Sequence, residues 1–143
     1  MLLLVSLIPC LIGWLVSLIM PLNHGYIIAL AITLTFTVCW FLIGRRSCNG
    51  KSSILPSLLY AHSVGIISLI VYIWQFVIVD DTGRNMALAA LSQYYTLATP
   101  LHVTAKLADL MFANKLLGFQ IVSLLFLIVV FLVGQITKVK AYD

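Results

Sequence analysis

His62 lies inside a long apolar stretch, and an ionisable side chain in hydrocarbon is a functional candidate because its charge is costly there. An imidazole at that position could ligate haem or a metal, or relay a proton. His24 and His102 fall in the more polar connections at the other end of the expected spans, about 25 Å away at 1.5 Å per residue, which disfavours paired haem ligation within the chain. His62 is therefore a candidate cofactor-binding residue, the alternative being a neutral histidine bonded to a neighbouring helix. Gln75 and Gln120 each need a partner for an amide in hydrocarbon, and their expected depth lets them bond each other. His24, Asp80, Asp81, His102 and Asp109 offer ligand types suited to divalent cations. Their spacing matches no ligand motif, so solvated loop charges are expected and no metal site.

Small and weakly polar residues form stripes. Ser6, Cys10, Gly13 and Ser17 recur at helical spacing, as do Ala61, Gly65, Ser68, Tyr72 and Gln75, with Ala29, Thr33 and Thr37 as a third set. In lipid, helices associate through close van der Waals contact and interhelical hydrogen bonds, so these faces are expected to pack helix against helix. A polar pathway between helices is the alternative. Cys10, Cys39 and Cys48 show no C-x-x-C spacing and are expected as free thiols; Cys48, beside Arg45 and Arg46, is read as a loop cysteine, with palmitoylation in a eukaryotic cell as the alternative. Pro9 before Cys10 spoils a lipoprotein box, and the first apolar run, without a basic leader, is expected to be a retained helix. No G-x-S-x-G, H-E-x-x-H or P-loop pattern occurs, and no expected span contains an acid. No catalytic residue and no cofactor follow from motifs, and nothing points to an enzyme.

The elements that must position these residues follow from composition. Of the 143 residues, 63% are hydrophobic and 8% charged, against roughly 25% charged in a soluble domain. Mean hydropathy is +1.16. The net charge of +4 comes from dispersed Lys and Arg, which argues against nucleic acid. An all-α membrane protein is expected, one polytopic domain over 1–143. Four spans are read at about 2–22, 26–43, 56–79 and 116–136. Pro21, Asn23 and Gly25 mark a turn, Ser52 and Ser53 offer caps before Pro56, and Asp80, Asp81 and Gly83 stop the third span.

Arg45, Arg46 and Lys51 in one connection, with Lys138 and Lys140 at the end, place those regions and both termini on the cytoplasmic or matrix side. The segment 85–105 is uncharged if His102 is neutral and long enough for a fifth span. Its Ser92, Gln93, Tyr94, Tyr95, Thr96, Thr99, Pro100 and His102 disfavour that, and a fifth span would move Lys138 and Lys140 to the outer side. A helical segment along the outer interface, about 86–113, is expected instead, with Val103, Leu107, Leu110 and Met111 on its apolar face. Trp40 and Tyr60 near the inner ends, and Tyr26, Trp74 and Phe119 near the outer ends, fit interfacial belts, whereas Trp14 falls mid-helix as a packing or subunit contact.

Three functional expectations follow. The first is a small accessory or scaffold subunit of a larger membrane complex, with lipid and other integral membrane subunits as partners. The second is an oligomeric channel or transporter using the polar faces and His62. The third is a haem- or quinone-binding membrane anchor.

Overall fold

A computed structural model describes residues 2–47 and 54–139. Cys48, Lys51, the capping serines 52 and 53, and Lys140 lie outside the described residues. All regular structure described is helical: α1 (Leu2–Val5), α2 (Ile8–Ile19), α3 (Gly25–Ser47), α4 (Ile54–Ile73), α5 (Met86–Leu97), α6 (Leu101–Met111) and α7 (Lys115–Val139). A π-helical turn, Trp74–Ile78, prolongs α4, and a 3₁₀ turn covers Asp81–Gly83. Three helices are long and apolar enough to cross a membrane, Gly25–Ser47, Ile54–Ile78 and Lys115–Val139, with Ile8–Ile19 as a shorter apolar helix.

The first apolar run is interrupted because of Pro9. Proline has no N–H for the carbonyl four residues back, and its ring collides with that carbonyl, so it is accommodated only in the first turn of a helix. Pro9 accordingly stands in the first turn of α2, and the chain breaks at Ser6–Leu7. The run ends at Ile19, where the turn to α3 is closed by Gly25 N–H donating to the Leu22 carbonyl at 2.8 Å. His24 takes φ 61° there, in the left-handed region where non-glycine residues are uncommon.

α3 and α7 pack side by side and parallel. Trp40 meets Phe131, and further along both helices Ser47 meets Gln135. Their approach is close because Gly44 lies on the Phe131 carbonyl and Gly134 on the Phe41 carbonyl. α4 runs antiparallel to α7, with Ser57 at Gln135 and His62 at Phe131. Arg45, Arg46 and Lys138 therefore share one end of the bundle, the basic end, and Asp80 and Asp81 mark the other, the acidic end.

The helical segment expected over about 86–113 is present as two helices folded into a hairpin. α5 packs on α2 and α4, and α6 packs on α7. At 12 and 11 residues they are about 18 and 16 Å long. Their joint, Ala98, Thr99 and Pro100, is buried. Both the apolar and the charged face of α6 are exposed, and a third, narrow face makes the helix contact. Thr104 and Ala108 face the protein, while Val103, Leu107, Leu110 and Met111 are exposed. In lipid there is no hydrophobic gain from hiding leucine against protein, so the small residues make the helix contact.

Candidate functional site

The hairpin is seated by two glycines. A Cβ at Gly13 of α2 would overlap the Tyr94 carbonyl, and one at Gly65 of α4 would strike the Tyr95 ring. Only hydrogen at these positions lets α5 come so near to both helices. Along α4 the other stripe residues lie on the same side: Ala61, Ser68, Tyr72 and Gln75 are all buried, and Ser68 Oγ donates to the Ser92 carbonyl at 2.6 Å. In the first segment Ser6 is buried and lies 3.3 Å from Ser63 Oγ, Cys10 is partly buried, and Ser17 Oγ turns back to the Trp14 carbonyl.

The joint of the hairpin carries its own polar layer. Non-helical backbone is tolerated at depth in a membrane only where protein surrounds it and its polar groups are bonded. Thr99 Oγ1 donates to the Thr96 carbonyl at 2.7 Å and lies 3.2 Å from both Thr104 Oγ1 and Ser123 Oγ. Thr104 Oγ1 also reaches the Pro100 carbonyl at 3.3 Å. Pro100 itself has no N–H to satisfy. Of the hydroxyl residues that make 85–105 a poor span, Thr99 closes this joint, whereas Ser92 and Thr96 donate to carbonyls three residues back within α5.

At the acidic end Gln75 and Gln120 do not bond each other. Gln75 Oε1 accepts from Asn85 N–H at 2.8 Å, and Arg84 Nε donates to the Gln75 carbonyl at 2.9 Å. Wide π-type winding at Trp74–Ile78 leaves carbonyls without their usual partner, and an arginine from beyond the helix takes one. The same guanidinium lies 4.6 Å above the Phe76 ring and pairs with Asp81 at 2.7 Å. Asn85 then caps α5 through the Ala87 and Leu88 N–H groups.

Toward the basic end lies a second polar layer. His62 is 1% exposed, and its Nδ1 lies 2.9 Å from the Leu58 carbonyl, which requires the proton on Nδ1. Trp40 and Phe131 stand edge-on to its ring at 5.6 and 5.3 Å. Trp40, expected in an interfacial belt, is fully buried here, whereas Tyr60 and Trp74 remain exposed. Gln135 Nε2 donates to Ser57 and Ser47. Trp40 Nε1, His62 Nε2, Gln135 Oε1 and the Tyr95 hydroxyl are buried without a hydrogen-bond partner.

The titratable loop residues do not converge. His102 packs edge-on to Tyr26 at 5.1 Å, Asp81 pairs with Arg84, and Asp109 lies 3.6 Å from Lys115. No group of three metal-binding side chains occurs among the described residues. Sequence reasoning passed over Tyr95, Thr99, Thr104 and Ser123 as site residues. Their signal was a cluster of hydroxyl residues flanking Pro100 in an otherwise apolar stretch, matched by a lone serine in α7. Comparison with protein-family models, with characterised proteins and with solved structures finds no match for this chain.

Proposed function

We propose that this protein is a small accessory or scaffold subunit of a larger integral membrane complex, with its basic end on the cytoplasmic or matrix side. The observation that carries this reading is the outward face of α2. Leu7, Leu11, Trp14 and Leu18 recur at helical spacing and are 45, 62, 48 and 53% exposed. Trp14 stands mid-helix rather than at an interface, where exposed tryptophan is usually found. α2 is also only 12 residues long, short of the roughly 20 needed to span alone, which suits a helix held among neighbours. Placement of Arg45, Arg46 and Lys138 at one end supports the orientation. The small-residue stripes are engaged in packing the hairpin, which favours a structural role over a polar pathway.

A photo-crosslinking amino acid in place of Trp14, in protein expressed at native level, tests this. One discrete adduct with another membrane protein is expected. Adducts with lipid alone, and migration of the solubilised protein without a partner, would refute the reading.

A second reading, a small oligomeric channel or carrier, is favoured by the unpartnered polar atoms around His62. Flux in reconstituted vesicles that is lost in His62→Phe would support it. The haem variant sits poorly with Trp40 and Phe131 packed edge-on against the imidazole, and a colourless preparation extracted from the native membrane would remove it.

A further inference from the structure

α2 and α3 diverge enough to leave an apolar groove of about 480 Å³, lined by Ile8 and Ile12 on one side and by Ile28, Ile32, Thr35 and Cys39 on the other. The α3 residues are spaced by four, three and four, so they form one line along the helix. Continued by three and four, that line passes Leu42 and reaches Arg46, five full turns from Ile28 and about 10 Å beyond Cys39. Leu42 and Arg46 are exposed. They are uncovered because the break before Pro9 sends α1 across to pack on α4 instead of continuing down α3. Arg46 makes no ion pair among the described residues, and the described acids, Asp80 and Asp81 after α4 and Asp109 near the C-terminal end of α6, lie toward the far end.

Length and charge select the occupant. The groove follows α3 from Ile28 to Cys39, about 16 Å of helix, which is about the depth of one leaflet where the hydrocarbon core is about 30 Å thick. Its apolar lining suits a hydrocarbon chain. A fixed cation at the end of an apolar track adds the preference for a phosphate-bearing head group without a compensating positive charge.

We propose that this groove binds an anionic glycerophospholipid, one acyl chain lying between α2 and α3 and the phosphate on Arg46. The leaflet assignment rests on the orientation given above; the binding itself does not depend on the scaffold reading.

The test uses full-length protein in micelles, offered equal amounts of phosphatidylglycerol and phosphatidylcholine with identical acyl chains, with adducts counted by native mass spectrometry. One arginine near a surface contributes about 1 kcal/mol toward an anionic lipid, so about a fivefold preference for phosphatidylglycerol is expected. Arg46→Gln is expected to abolish that preference. Arg45→Gln, a third of a turn away, is expected to keep it. Thr35→Trp, which fills the groove, is expected to lower retention of both lipids. Cys39 provides a readout without substitution: phosphatidylglycerol, more than phosphatidylcholine, slows its alkylation by N-ethylmaleimide in the wild-type chain. Equal retention of the two lipids, equal effects of Arg45→Gln and Arg46→Gln, or an unchanged Cys39 rate would each overturn the proposal.

Discussion

Two polar layers of this bundle are equally buried and differently finished. Around the hairpin joint, Thr99 contacts both Thr104 and Ser123, and nearby carbonyls accept from the two threonine hydroxyls. Around His62, the tryptophan N–H, the histidine Nε2 and the glutamine carbonyl end without partners, as does the Tyr95 hydroxyl beside Gly65. A buried polar group left unpaired costs about 1–3 kcal/mol, so the second layer is destabilising where the first is self-sufficient. The hydroxyl layer is explained by architecture alone, because it closes irregular backbone. The histidine layer is not, and its unpartnered atoms are what the channel reading rests on.

The largest test of this contrast removes the hairpin's seat. Gly13→Val or Gly65→Val forces α5 away from α2 or α4, and a loss of about 3 kcal/mol or more is expected in thermal unfolding in micelles, with raised hydrogen exchange across α5 and α6. Retained stability would mean that the close approach is not required.

Arg84→Ala comes next. It removes the donor to the Gln75 carbonyl and the contact over Phe76, so about 1–3 kcal/mol is lost, with faster amide exchange confined to Trp74–Val79 and Asn85. Thr99→Val keeps the shape of the side chain and removes its hydroxyl from the joint. About 0.6–2 kcal/mol is expected, the range for interhelical hydrogen bonds in membranes. Tyr95→Phe should be the smallest, within about 0.5 kcal/mol of wild type and of either sign, since the hydroxyl it deletes has no partner. A cost above that of Thr99→Val would erase the difference between the layers.

Much of this was legible in the residues, for reasons that also mark the limits. Uninterrupted hydropathy located α3, α4 and α7, because length and composition alone decide whether a helix can cross hydrocarbon. Gly13 and Gly65 stood out as members of small-residue stripes, although spacing could not say that α5 would fill both. Pro9 held the signal for the break before α2, but apolar neighbours on both sides masked it. A carbonyl of the π-type turn at Trp74–Ile78 is taken by Arg84, nine residues beyond Gln75 in sequence, and no local pattern encodes that bond. The hairpin was read as one amphipathic segment because periodicity shows that two faces differ. It does not show which face meets protein when the surrounding solvent is itself apolar.

The central claim is that the α5–α6 joint is buried against α7 inside the bundle. With Cys10, Cys39 and Cys48 replaced by alanine, Thr99→Cys and Ser123→Cys are introduced together and oxidised in native membranes. Their hydroxyl oxygens lie 3.2 Å apart, so the two introduced thiols take facing positions. Rapid, near-complete intramolecular crosslinking, with Thr99→Cys alone shielded from a membrane-impermeant maleimide, is the predicted result. Failure to crosslink together with ready labelling of Thr99→Cys from the aqueous side would contradict the account.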